Sequence, residues 1–118
     1  MGWSFDNSKP IYIQIADRIE AEILSGSFYL GEKIPSVREL ALQASVNPNT
    51  MQRALTELET RGLVTVQRTA GRLVTNDVSV IEKVKYDKAE QTAKDFIAQF
   101  KALKIDKEKA KQIINERW

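Results

Sequence analysis

Apolar residues recur along the first part of the chain with helical spacing. Ile11, Ile15, Ile19 and Ile23 lie four apart, and Ala16 and Leu24 widen the stripe, which predicts a helix from about Pro10 to Leu24. Pro10 suits its first turn and Gly26 its exit. A loop containing Gly31 and a short extended piece at Lys33 to Pro35 come next. Ser36-Val37-Arg38-Glu39 then matches the S-x-x-E capping box, in which Ser36 and Glu39 satisfy each other's backbone donors, and a short second helix is expected to about Ala44. Ser45-Val46-Asn47-Pro48 reads as a turn in which Asn47 caps a third helix and Pro48 opens it. That helix is expected to reach Arg61, with Met51, Ala54, Leu55 and Leu58 on one side and Asn49, Gln52, Arg53, Thr56 and Thr60 around the other. After Gly62 the period shortens. Leu63 to Arg68 alternates like a strand, Thr69-Ala70-Gly71 is a turn, and Arg72 to Thr75 is a partner strand.

Two helices joined by a tight turn, with a hairpin behind them, predict an α+β fold: an N-terminal winged helix-turn-helix of three helices plus a two-stranded wing, occupying 1–76. Such a domain suits duplex DNA, because the third helix can enter a major groove about 12 Å wide while the hairpin follows the flanking backbone or minor groove. From 77 to 118 a short helical tail is expected. Ala89, Ala93, Phe96, Ile97, Phe100 and Leu103 form one stripe over Ser79 to Leu103, with Lys83, Lys85, Lys88, Lys94 and Lys101 outside it; Asp106 then caps a last helix carrying Ala110, Ile113, Ile114 and Trp118. A helix of about 25 residues is ~38 Å long. Its stripe needs a partner, and a second copy of the chain is favoured over folding back onto its own winged helix.

Composition narrows the chemistry. The 118 residues include no cysteine and no histidine, so disulfides, Cys/His zinc sites, thiol nucleophiles and imidazole bases are excluded. The carboxylates fall mostly on exposed helical faces without a paired or nucleophilic constellation, so no catalytic residue, metal or cofactor is expected and the protein is not read as an enzyme. No apolar stretch approaches the ~20 residues of a membrane span, and Met1 to Asn7 lacks the basic flank and apolar run of a leader, which makes a cytoplasmic protein without a membrane partner the expectation.

Net charge is only +2, and residues 1–76 carry eight basic and eight acidic side chains, so distribution decides the matter. Between 33 and 76 stand Lys33, Arg38, Arg53, Arg61, Arg68 and Arg72 against Glu39, Glu57 and Glu59. Five of those six cations are arginine, whose planar fork suits phosphates and guanine edges. Arg38 sits in the first turn of its helix, where the macrodipole disfavours a cation by up to ~1 kcal/mol. Contact with DNA accounts for that placement; a salt bridge to Glu39 or Glu32 is the structural alternative. Ser36 reads first as a cap, although a capped helix N-terminus also offers backbone N–H groups to a phosphate. Arg53, Arg68 and Arg72 are expected on phosphates, and Trp3, Phe5 and Tyr12 in packing.

Three separated stretches, Pro10-Ile-Tyr-Ile-Gln-Ile15, Gly31-Glu-Lys-Ile-Pro-Ser-Val-Arg-Glu-Leu-Ala41 and Val46-Asn-Pro-Asn-Thr-Met-Gln-Arg-Ala-Leu55 with Glu57-Leu-Glu59 and Gly62-Leu63, resemble the GntR family of bacterial transcription regulators over roughly 1–76. The resemblance implies a dimer on a palindromic double-stranded DNA operator. It places DNA contacts at Arg38 of the P-S-x-R-E-L signature, at Asn47, Asn49, Thr50 and Gln52 with Arg53 beside them, and at the wing glycine, Gly71. Where relatives often carry R-G-x-G-T-F-V, this wing reads Arg68-Thr-Ala-Gly-Arg-Leu-Val74, keeping only the second glycine. The 42 residues after position 76 are too few for a large sensory domain, which is similar to the YtrA-like branch, with its short dimerising tail and frequent control of transporter operons. Resemblance and residues together name no effector. A winged helix used as a protein-interaction module without DNA binding is the competing reading.

Overall fold

The computed structural model describes residues 2–118; Met1, the first residue of the stretch read for a leader, lies outside them. Five helices and two strands follow in the order α1 (Ile11–Leu24), α2 (Val37–Ala44), α3 (Pro48–Thr60), β1 (Val64–Gln67), β2 (Gly71–Val74), α4 (Val78–Ala102) and α5 (Lys107–Arg117). The expected winged helix-turn-helix with C-terminal helices is the fold observed.

Local chemistry sets the helix starts. Ser36 Oγ accepts from Glu39 N at 3.2 Å while Ser36 N donates to Glu39 Oε1 at 3.2 Å, so the capping box is closed. Asn47 Oδ1 accepts from Asn49 N at 2.7 Å, with Pro48 opening α3. Between them α2 ends on Ser45 in the left-handed region, φ 57°, with Val46 N returning to Ala41 O at 3.0 Å. Pro10 differs from its expected position. It stands at the N-cap of α1 rather than in the first turn.

The stripes meet over most of their length; Ile11 and Leu24, the two ends of the expected α1 stripe, are respectively 45% exposed and half-buried because they stand at the helix termini. Ile15, Ala16, Ile19 and Ile23 of α1, Leu40, Ala41 and Ala44 of α2, and Met51, Ala54, Leu55 and Leu58 of α3 are all buried, and α3 packs against both other helices. Ile34, Leu63, Val64 and Val74 extend this core under the wing.

The wing departs from the expected hairpin in two respects. Strand alternation stops after Val64: Thr65, Val66 and Gln67 are all exposed, Val66 by 57%. Only the base of the hairpin has a layer to pack on. The second difference is a third partner. β1 and β2 pair antiparallel from Val64↔Val74 to Gln67↔Gly71, and the extended piece before α2 lines the other edge of β2, with Ile34 N on Arg72 O and Val74 N on Glu32 O, both 2.9 Å.

The chain divides into two compact units, one reaching to Glu82 and the other spanning Lys83–Trp118. The first continues into α4 because Val80 and Ile81 pack there; a Cβ on Gly62 would stand 3.4 Å from Val80 Cγ1, and its φ of +81° also asks for glycine. In the second unit α4 closes on Lys104 at φ 62°, with Ile105 N bonded to Phe100 O at 3.0 Å, and Asp106 caps α5 by accepting from Lys109 N at 2.8 Å.

Arg61, at the end of α3, ties that helix to α1. Its Nε donates to Glu57 Oε2 at 2.9 Å, and its Nη1 reaches Asp17 Oδ1 at 3.0 Å and Glu20 Oε1 at 3.2 Å; Asp17 also binds Lys9 at 3.0 Å. Glu20 is buried. Burial works against charge on Asp17, but hydrogen bonds from Lys9 and Arg61 outweigh it and hold the carboxyl below its ordinary value. Burial likewise opposes charge on Arg61, and Glu57 and Asp17 reverse that, raising its pKa.

Two outcomes follow for this clamp. Arg61→Leu is expected to lower stability in chemical unfolding by about 2 kcal/mol, less than for a fully buried pair because Asp17 and Glu57 are partly solvated. With its folded pKa depressed, Asp17 contributes stability that is complete above its unfolded value and is lost as pH falls through the folded one. Thermal melts should therefore show an acid decline below about pH 4 that is shallower in Asp17→Asn.

Candidate nucleic-acid interface

The α2–turn–α3 segment and the wing present the predicted residues as follows. Arg38 projects from the first turn of α2, is exposed, and makes no ion pair among the described residues. The salt bridges to Glu39 or Glu32 considered for it are not formed. Glu39 is occupied by the capping box, and Glu32 Oε1 accepts from Tyr29 N at 2.7 Å. On α3, Asn49, Gln52 and Arg53 are exposed and Thr50 is half-buried, opposite the buried Met51, Ala54, Leu55 and Leu58.

Two of the predicted polar residues already hold backbone. Ser36 Oγ and Asn47 Oδ1 accept from helix N–H groups, which leaves the Ser36 hydroxyl proton and the Asn47 amide N–H₂ as their remaining donors. Arg68 stands exposed in the loop between the strands. Gly71 begins β2 at φ +80°, a conformation side chains rarely adopt. Arg72 is half-buried and already paired: its Nε binds Glu59 Oε2 at 3.1 Å, so it joins the wing to α3.

Arg61, counted with the positive charge of this region, is withdrawn from it by Asp17, Glu20 and Glu57. Glu57 and Glu59 are occupied in turn, by Arg61 and Arg72. Between 33 and 76 the cations without an ion pair are therefore Lys33, Arg38, Arg53 and Arg68. Lys33 is the one the contact reading passed over. Its Cε would lie 3.7 Å from a Cβ on Gly71, which puts this lysine on the wing. Extended character at 33–35 was visible in the sequence, whereas its pairing with a strand some forty residues later was not.

In the tail, Ala89, Ala93, Phe96 and Ile97 lie exposed on α4, Phe96 by 52% and Ile97 by 51%; Phe100 is half-buried, and Leu103, just beyond the helix, is 71% exposed. No helix among the described residues is long and apolar enough to cross a membrane.

Comparison with known proteins gives the same reading. Residues 11–74 match the family described as bacterial regulatory proteins, gntR family. The HTH-type transcriptional regulator YhcF of Bacillus subtilis is 38% identical over 104 residues, 88% of this chain and 86% of that one. The HTH-type transcriptional repressor YtrA of the same organism is 39% identical over 71 residues, 60% of this chain and 55% of that one. Among solved structures, a GntR family transcriptional regulator from Listeria monocytogenes has a TM-score of 0.87 at 42% identity, covering 95% of this chain and 98% of the other. The winged helix, its capped α2–α3 turn and a family match over more than half its length together establish that this chain belongs to the GntR family of transcriptional regulators, with an N-terminal DNA-binding domain.

Proposed function

We propose that the protein is a homodimeric repressor, working in the cytoplasm, that binds a palindromic operator through its winged helices and pairs through its tail. The observation that carries the reading is a division within α3 and its surroundings. One face of α3 is fully buried, the other offers Asn49, Gln52 and Arg53, and the neighbouring cations Arg38, Arg68 and Lys33 are left without carboxylate partners.

In this reading Arg38, Asn47, Asn49, Thr50 and Gln52 meet base edges or the adjoining backbone. Ser36, Arg53, Arg68, Gly71 and Arg72 fix the domain against phosphates, Arg72 by exchanging or sharing Glu59. Two recognition helices on half-sites about one helical turn, ~34 Å, apart require a dimer. The apolar stripe of Ala89, Ala93, Phe96, Ile97, Phe100 and Leu103, exposed except for the half-buried Phe100, supplies a surface for one. Repression is supported by the name of the Bacillus relative YtrA, and control of a transporter operon by the resemblance to that branch. The exposed Val66 on the wing is what a protein-interaction module would use instead.

In gel-shift titrations against a duplex selected from random sequence, Arg38→Ala is expected to abolish preference for that site, a loss of about 1–3 kcal/mol in discrimination. Arg68→Ala should weaken all duplexes alike and lower the slope of log K against log salt by about one. Wild-type behaviour in both variants, or no salt-dependent duplex binding by the unaltered chain, returns the protein to the interaction-module reading. In sedimentation at micromolar concentration the chain should run as a dimer and Phe96→Asp as a monomer; a monomeric wild type removes the role given to the tail.

A further inference from the structure

We propose that Tyr12 is a positioning residue for DNA binding, its ring holding the Arg53 guanidinium in the orientation from which it meets a backbone phosphate. This rests on the DNA-binding reading above and adds to it a residue on α1, outside the helix-turn-helix and the wing.

The Cζ of Arg53 lies 4.0 Å from the centroid of the Tyr12 ring. Tyr12 is half-buried in the first turn of α1, while Arg53 is exposed on α3 one residue beyond Gln52. The carboxylate within helical reach of Arg53, four residues on, is Glu57. Arg61 has taken it, Nε to Oε2 at 2.9 Å, and Arg53 makes no ion pair among the described residues. The tyrosine face attracts the guanidinium without neutralising it. Stacking also covers the plane of the fork and leaves its N–H edge available, the edge that binds phosphate. Rotamer freedom of a long side chain is thus surrendered on folding and is not lost again on binding.

A second stack shows what differs. Arg18 lies 4.1 Å from the Trp3 ring but has Glu22 at 3.9 Å, and Trp3 N donates to Ala44 O at 3.3 Å, so that pair fastens the N-terminal segment to the domain. Arg53 has the ring alone, on the helix that carries the recognition residues.

A double-mutant cycle on the full chain tests this, with the duplex that the wild type selects from random sequence as probe and affinities measured across a salt series. Tyr12→Leu is expected to bind roughly two- to fivefold more weakly with the salt slope unchanged, and Tyr12→Phe, which keeps the ring, to bind like wild type. Arg53→Ala should weaken binding and lower the slope by about one. In the Arg53→Ala background Tyr12→Leu should have no further effect. Equal weakening by Tyr12→Leu with and without Arg53 overturns the proposal, since the ring then acts through the fold. A Tyr12→Phe as weak as Tyr12→Leu overturns it too, by assigning the contact to the hydroxyl, as does a Tyr12→Leu that binds like wild type. Failure of the wild type to bind any duplex overturns the DNA-binding reading and this proposal with it; a wild type that binds while the cycle is additive overturns this proposal alone.

Discussion

Arg61 gathers Glu57 from its own helix and Asp17 and Glu20 from α1 at 2.9 to 3.2 Å, and the rest of the domain is arranged around that contact. With the buried apolar contacts between the two helices it joins α3, which carries the exposed polar face, to α1. It also sorts charge. Arg61 and Arg72 between them occupy Glu57 and Glu59, and Glu39 closes the cap of α2. A paired charge fades within a few ångströms, whereas an unpaired one is felt across a Debye length of about 10 Å. A winged helix with balanced composition can therefore still present Lys33, Arg38, Arg53 and Arg68 as unopposed cations.

Most of the fold is local chemistry, and was legible for that reason. The capping box at Ser36 and Glu39 and the Asn47-Pro48 start act within one turn of helix and form as expected, and the i, i+4 isoleucines are buried at Ile15, Ile19 and Ile23 but not at Ile11. What was not legible depends on distant partners. Nothing near Lys33 announces that 32–34 will line the outer edge of β2, and the alternation of Leu63 to Arg68 contains no sign that the wing runs out of core after Val64. Pro10 as a cap rather than a first-turn residue is a shift of one position, which composition does not resolve.

The candidate interface was readable as a set of residue types and less so as a set of available groups. Arg38, Asn49, Gln52, Arg53 and Arg68 stand exposed. A count of charges cannot tell the arginines among them from Arg61 and Arg72, which are held by carboxylates from elements apart in sequence, Asp17 and Glu20 for the one, beside its helical neighbour Glu57, and Glu59 for the other. Tyr12 illustrates the same limit from the apolar side. Its half-buried ring agrees with packing, yet the face it presents is turned to a cation on α3. In the tail the stripe from Ala89 to Leu103 is exposed except at the half-buried Phe100, and the spacing that revealed it does not say what covers it.

Duplex DNA is expected on the face from which carboxylates have been withdrawn. Titration of the selected duplex into uniformly ¹⁵N-labelled protein should shift amides at the start of α2, along the first half of α3 and in the wing at Lys33 and from Arg68 to Gly71, and leave the Asp17, Glu20 and Arg61 region unchanged. Shifts confined to the α1 side of the clamp, or none at saturating duplex, would place DNA elsewhere or remove it.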